Sequence, residues 1–294
     1  MAKVDNAVMI VAGTSSRFAP LSYEHPKGLT RVRGEVLIER QIAQLRAAGI
    51  RDIYLVVGYM GDQFSYLQRK FGVHILENSQ YAQRNNHGSI YAAREVLGNS
   101  YVCCGDNYFT ANPFEPEVEG SYYATVYAQG QTPEWCVYTD EEDFITRVEI
   151  GGKDAWYMLG HTYWDKDFSR KFLDILEKEY DLPETRDKLW EGIYAGHLDV
   201  LRMKRRRYPA GTIFEFDTLD ELRAFDPSYW EDSRSAILKD AAAQLGCRDG
   251  ELTGIRALRG SGNAAAGFSF CRREKRYYYD YQERIVREGQ WQDR

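Results

Sequence analysis

The chain has 294 residues, enough for one large domain with an appendage and a sizeable core. Hydrophobic residues make up 44% of it, which excludes a disordered chain. The net charge of -6 argues against a general nucleic-acid binder, so an anionic substrate would need a local cationic site. No apolar run is long enough to span a bilayer and no secretory apolar segment opens the chain, so a cytoplasmic protein without a membrane partner is expected. Five cysteines, an odd count with no Cys-x-x-Cys, read as reduced thiols.

In chain order, Val8 to Ala12 reads as a buried strand and Thr14 to Tyr23 as an irregular loop. Val36 to Ala47 has apolar residues at helical spacing, with Gly49 as its cap. Ile53 to Val57 is a second strand, Asp62 to Phe71 a helix, Val73 to Leu76 a strand, Ser89 to Leu97 a helix and Tyr101 to Cys104 a strand. This alternation predicts an α/β fold, a parallel sheet covered by helices, with its site at the carboxyl ends of the strands. Strands follow at Tyr122 to Tyr127, Glu134 to Tyr138, Ile145 to Ile150 and Trp156 to Tyr163, making the sheet mixed. Helices are predicted over Asp167 to Tyr180, Thr185 to Tyr194 and Leu219 to Phe225, with a short strand at Ile213 to Phe216. The domain division falls at 1-228 and 229-294. The second part holds an amphipathic helix from Ser233 to Leu245, a small-residue loop over 260-267, and a hairpin pairing Phe268-Ser269-Phe270 with Arg276 to Tyr279. This small α+β appendage is too short for a well-buried domain of its own and is expected to dock on the main body or on a second copy as a homodimer.

The chemistry-bearing residues begin in Ala12-Gly13-Thr14-Ser15-Ser16-Arg17. Small residues let backbone N–H groups approach phosphate oxygens, and Arg17 can hold a triphosphate bidentately. Lys27, following Pro26, would offset charge at the reacting phosphorus. A tight βα connection and a solvated lysine are the plainer readings of each piece taken alone. Cys104-Gly105-Asp106-Asn107 ends a strand, where Asp106 suits a Mg²⁺ ligand or, equally, a turn. Glu215 and Asp217 are two apart, on one face if that segment is a strand, and would complete the metal site or form a polar edge. Asn85 and Ser89 lie in an amide-rich stretch that can read a pyrimidine edge or simply cap a helix. The run Lys204-Arg205-Arg206-Arg207 reads as a solvated or docking face.

Taken in order, these motifs resemble the sugar-phosphate nucleotidyltransferase superfamily, and within it the CTP:phosphocholine cytidylyltransferases of the bacterial choline-incorporation type. The resemblance runs from about Asn6 to Phe225. It rests on Val11-Ala12-Gly13 with Ser16-Arg17-Phe18, on Pro26-Lys27-Gly28-Leu29, Val56-Val57-Gly58-Tyr59, Asn85-Asn86 and Asp106-Asn107-Tyr108, and on Ile213 to Asp217. It implies a Rossmann-like nucleotidyltransferase fold and transfer of CMP from CTP to phosphocholine, giving CDP-choline and pyrophosphate with Mg²⁺ as cofactor. It also implies that Ala12, Gly13, Thr14, Ser15, Asn85, Ser89 and Gly105 bind nucleotide, that Arg17 and Lys27 act on phosphates, and that Asp106, Glu215 and Asp217 hold metal. The chain departs from the pattern at Ser15, Gly28, Cys104 and Leu189, where the family usually has glycine, alanine, an acid and tyrosine.

A quaternary ammonium donates no hydrogen bonds and is held by aromatic faces beside a carboxylate. Trp135, Tyr163 and Trp190, with Asp187 or Glu191 for charge, are the acceptor residues expected on that ground, although a lone aromatic more often packs in a core. A primary amine, as in 2-aminoethylphosphonate, is the alternative acceptor. A sugar 1-phosphate needs more hydroxyl partners than this aromatic set offers. A non-catalytic nucleotide-binding regulatory module is the reading from a different class. Ile255 to Gly260, with Asn263 and Phe268, resembles the opening of choline-kinase-like domains, which implies a remnant without phosphotransfer activity.

Overall fold

The computed structural model describes residues 1–259, 265–289 and 291. The chain forms two compact units, and neither is continuous in sequence. The first comprises 1–13 and 37–215, the second 14–36 and 216–294. The expected appendage, 229–294, therefore shares a unit with the segment that carries Arg17 and Lys27.

The first unit is built on a nine-stranded mixed sheet. Asn6–Val11 lies between Ile53–Val57 and Ser100–Cys104 and runs parallel to both, and His74–Glu77 extends the sheet in parallel beyond Ile53–Val57. These short runs, rich in Val, Ile, Leu and Met, have both faces covered, as parallel strands require. Trp156–Trp164 joins the other side of Ser100–Cys104 antiparallel and leads on to Gln131–Thr139 and Ile145–Lys153. Tyr122–Tyr127 pairs antiparallel with Trp156–Trp164 and parallel with Lys204–Tyr208. The helix Leu37–Ala47 turns Leu37, Ile38, Ile42 and Leu45 inward, and Lys166–Glu179 buries Phe168, Phe172 and Leu176. Asp165 caps the second of these helices by accepting from the amides of Asp167 and Phe168.

The basic run lies in a strand, Lys204–Tyr208, with Lys204 and Arg207 exposed and Arg205 and Arg206 partly buried. Arg205 and Arg207 both reach Asp143, at 2.6 and 2.7 Å, and Arg206 reaches Glu115 at 2.6 Å. Two predicted helices are shorter than their periodicity suggests. Thr185 to Tyr194 resolves into a single 3-10 turn, Pro183–Thr185, and a helix confined to Trp190–Ala195. Ser89 to Leu97 resolves into a helix at His87–Ala92.

The second unit contains a four-stranded antiparallel sheet in chain order, Thr253–Arg259, Ala265–Arg272, Lys275–Asp280 and Ile285–Glu288. The predicted hairpin is its central pair, with Phe268 opposite Tyr279 and Phe270 opposite Tyr277. Of the small-residue loop, 260–264 lies outside the described residues. The helix Leu219–Phe225 starts in a capping box of Thr218 and Glu221. Its Arg223 is fully buried and donates to the carbonyls of Leu252, Asp249 and Tyr229 at 2.6, 3.1 and 3.3 Å. A guanidinium satisfied in this way ties the helix to the chain that leads into the sheet. Among the described residues no helix is long and apolar enough to cross a membrane.

Candidate active site

In the second unit the left-handed Ser15 (φ 46°, ψ 45°) leads into a 3-10 turn, Ser16–Phe18. Arg17 projects from this turn and is 74% exposed, while Lys27 is only 4% exposed at the start of a second 3-10 turn, Lys27–Leu29. Both cations meet Asp217. Arg17 Nη1 lies 2.8 Å from Oδ2 and Lys27 Nζ lies 3.4 Å from Oδ1. Three residues expected to act on phosphate and metal therefore converge.

Asp217 does not reach this position by strand alternation. The strand ends at Phe214, and the Asp217 amide donates to Glu221 Oε2 at 2.7 Å as the chain turns into the capped helix. The expectation that Glu215 and Asp217 share a strand face is corrected accordingly: helix capping overrides the two-residue period.

In the first unit Ala12 is buried, with its carbonyl accepting from the Tyr59 amide at 3.0 Å, and Gly13 is exposed. At the carboxyl end of Ser100–Cys104, Gln41 Nε2 donates to the carbonyls of Cys104 and Asn107, at 3.0 and 2.8 Å, and so fixes the turn that presents Asp106. Gly105 is required there by packing. A Cβ at that position would stand 2.2 Å from Val11 Cγ1. Asn107 Nδ2 donates to Glu215 Oε2 at 3.5 Å. Burial pushes the Cys104 thiol well up, and the charges of Asp106, Glu215 and Glu191 push it further.

Glu191 is the most constrained of these acids. It is 8% exposed and accepts from Tyr123 Oη at 3.0 Å and from Asn86 Nδ2 at 3.1 Å. Burial raises its carboxyl above the usual range, and the hydrogen bonds from Asn86 and Tyr123 offset part of that rise. Among the described residues no Lys, Arg or His forms an ion pair with it. A buried carboxylate held only by neutral donors is relieved either by a proton or by a cation brought to it. Trp190 stacks on Tyr123 with ring centroids 5.6 Å apart and 12° between planes. A Cβ built on Gly192 would lie 3.6 Å from Trp135 Cη2, so the half-buried Trp135 ring faces the helix that carries Trp190 and Glu191.

The remaining expected residues are placed differently. Asn85 and Asp187 are both exposed, and Asn85 Nδ2 donates to the Asp187 carbonyl at 3.1 Å. Ser89 is buried, with its hydroxyl accepting from Asn78 Nδ2 at 3.1 Å. Tyr163 is fully buried beside Tyr101, at 5.5 Å between centroids, and Tyr122, and it presents no open ring face in this structure. Among the described residues no group of three or more His, Cys, Asp or Glu could hold a metal ion by itself.

Comparison with known proteins bears on this geometry. A MobA-like NTP transferase domain is matched over residues 7–139. The choline-phosphate cytidylyltransferase of Streptococcus pneumoniae is 31% identical over 220 residues, which span 75% of this chain and 96% of that protein. The chain belongs to this family of nucleotidyltransferases. The 2-aminoethylphosphonate cytidylyltransferase of Lancefieldella rimae is 32% identical over 232 residues, covering 78% of this nucleotidyltransferase and 94% of its relative. The solved structure of the Streptococcus pneumoniae CTP:phosphocholine cytidylyltransferase superposes with a TM-score of 0.74 at 31% identity, over 77% of this chain and 99% of that one. The enzyme fold and the nucleotidyltransferase class expected from the motifs are thereby established.

Sequence reasoning missed two residues of this nucleotidyltransferase. Tyr123 is one of many tyrosines, and nothing local marks it as the donor to Glu191. Asn86 stands in the motif beside Asn85, and its side chain works in both directions: Nδ2 donates to Glu191 Oε2 while Oδ1 accepts from the Trp190 amide at 2.7 Å. Its place one residue before a helix was the available signal.

Proposed function

We propose that this nucleotidyltransferase transfers CMP from CTP to phosphocholine, giving CDP-choline and pyrophosphate. The observation that carries the choice of acceptor is Glu191, a buried carboxylate held by neutral donors beside stacked aromatic rings. A quaternary ammonium gains from ring faces and from an unscreened negative charge, and it asks for no hydrogen-bond acceptor. Trp135, half-buried, would supply the open ring, while Trp190 and Tyr123, only 2% and 6% exposed, would back the site from the core. Asp187, being exposed, would contribute at most longer-range charge.

In the reaction a phosphocholine phosphate oxygen attacks the α-phosphorus of CTP in line. The new P–O bond forms as the bond to the β-phosphate bridging oxygen breaks, and pyrophosphate leaves with that electron pair. Lys27, buried and therefore weakly screened, would offset the charge that develops on the α-phosphate. Arg17 would hold the outer phosphates. Both would exchange Asp217 for phosphate oxygens on binding nucleotide. The backbone of 12–15 would approach the phosphates, and Asn85, with the backbone near Ser89, would face the base.

Mg²⁺ fits the donor chemistry of Asp106, Glu215 and Asp217, which are oxygen ligands only. The lack of a ready three-acid cage among the described residues is compatible with an ion that keeps waters and binds through one or two carboxylates plus phosphates. When bound, it would supply charge neutralisation on the triphosphate.

A second reading keeps the reaction and changes the acceptor to 2-aminoethylphosphonate. It is favoured by the Lancefieldella rimae relative and by Leu189, which removes one ring from the expected cage. The test is Mg²⁺-dependent pyrophosphate release from CTP with phosphocholine, 2-aminoethylphosphonate and a sugar 1-phosphate in turn. Release with phosphocholine at the highest kcat/KM is expected. Preference for the aminophosphonate would transfer the assignment to the second reading, and no release with any acceptor would overturn both.

A further inference from the structure

We propose that the C-terminal four-stranded sheet is part of the nucleotide site, through Arg259 acting as a positioning residue for the Ser16–Phe18 turn. The proposal rests on the nucleotide role assigned above to Arg17, which this turn carries.

The turn has reason to need support. Ser15 adopts left-handed backbone angles, which are strained for a residue with a Cβ and persist only where the surroundings hold them. The turn's own bonds are few: the Phe18 amide donates to the Ser15 carbonyl at 2.9 Å and the Ala19 amide to the Ser16 carbonyl at 3.2 Å. The support comes from far along the chain. Arg259, the last residue of the first strand of the C-terminal sheet, donates from Nη2 to Ser16 Oγ at 2.7 Å. Ser16 is the immediate neighbour of Arg17, so fixing its side chain fixes the direction in which Arg17 leaves the turn.

The rest of the segment is tied to the same region. Glu24 Oε1 accepts from the Ile237 amide at 3.1 Å, and the Tyr23 ring meets Tyr281 edge-on at 4.8 Å. The Arg31 carbonyl accepts from Tyr229 Oη at 2.6 Å, and the Arg33 amide donates to Asp226 Oδ2 at 2.7 Å. From residue 16 to residue 33 the segment is thus anchored at five residues to 226–281. About a quarter of this chain lies outside its match to the Streptococcus pneumoniae relative, which is itself matched over 96% of its length. A role in ordering the turn that carries Arg17 gives the C-terminal sheet a function without requiring phosphotransfer of its own.

The test uses the full chain carrying Arg259→Ala, Arg259→Lys, Ser16→Ala and the Arg259→Ala/Ser16→Ala pair. Hydrogen exchange is read at the Phe18 and Ala19 amides without ligand, and steady-state kinetics are read in CTP and in acceptor. Arg259→Ala is expected to speed exchange at both amides and to raise KM for CTP about fivefold, the scale of one hydrogen bond. kcat and acceptor KM should stay within about twofold, and the melting temperature should not change. Arg259→Lys should restore most of both effects, since an ammonium can still donate to Ser16 Oγ. The double variant should be no worse than the worse single one. Unchanged exchange in Arg259→Ala overturns the proposal whatever the kinetics show. Faster exchange with an unchanged KM for CTP overturns the nucleotide role of the turn. A wild-type protein that neither binds nor turns over CTP overturns the underlying reading, and the proposal with it, even if exchange still responds to Arg259.

Discussion

Replacing Glu191 by glutamine separates the charge of this side chain from its shape. The carboxylate accepts from Tyr123 Oη and Asn86 Nδ2, and no protein cation pairs with it among the described residues. If it faces the acceptor's ammonium, its removal forfeits a charge-assisted contact in a weakly screened setting. Contacts of that kind contribute about 1.5–3 kcal/mol, which corresponds to a rise in acceptor KM of about 10- to 150-fold. Glutamine keeps one acceptor oxygen and turns the other into a donor facing a donor. One hydrogen bond of about 1 kcal/mol is lost, and the cost of burying a charge is relieved. The two terms nearly cancel, so the melting temperature should move by only a few degrees. The assay is initial-rate pyrophosphate release with phosphocholine varied at saturating CTP, paired with CTP varied at saturating phosphocholine. KM for CTP should stay within about twofold. An acceptor KM also within about twofold, in a folded protein, would remove Glu191 from the acceptor site and with it the main support for a cationic acceptor.

Further outcomes follow from the same geometry. Lys27→Met should lower kcat by about 10²- to 10³-fold with little change in acceptor KM, because a buried cation acts on charge that appears in the transition state; unchanged kcat would assign Lys27 to structure alone. The raised Glu191 carboxyl gains its proton at a higher pH than a free one, so acceptor KM should climb as pH falls through that raised value. Tyr123→Phe removes a donor to the charged form and should move the climb to higher pH, whereas Glu191→Gln should abolish it; a profile unmoved by either variant would refute the linkage. Gly105→Ala should destabilise the protein by about 1–3 kcal/mol, since its Cβ would meet Val11 Cγ1, and Val11→Ala in the same chain should recover part of the loss. A melting temperature unchanged by Gly105→Ala would show that the strand end has slack.

Much of the first unit was legible because local pattern and tertiary role agree there. The apolar runs at Asn6–Val11 and Ile53–Val57 are parallel strands because both faces are covered, and their composition says so directly. The reading failed where one short-range signal overrode another. The Ile213 to Phe216 segment looks like a strand, but Thr218 and Glu221 form a capping box that pulls the chain into a helix, and Asp217 goes with it. Thr185 to Tyr194 has helical composition, yet its helix is only Trp190–Ala195. Tyr163, an aromatic that composition alone makes available to an acceptor, stands opposite Tyr101 in the sheet register and is buried.

By itself the sequence showed a small-residue turn after a buried strand, a following arginine and lysine, and acids further along the chain, in an order that resembles the nucleotidyltransferases and through that resemblance implied the reaction class. Tertiary structure alone decided which of these groups meet. Arg17 and Lys27 share Asp217 across nearly two hundred residues of chain, and Glu191 takes its hydrogen bonds from Asn86 and Tyr123, each distant in sequence. The physical reason is that hydrophobic periodicity specifies which face of an element is buried, whereas the partner of a buried charge is set by how elements far apart in the chain come to pack.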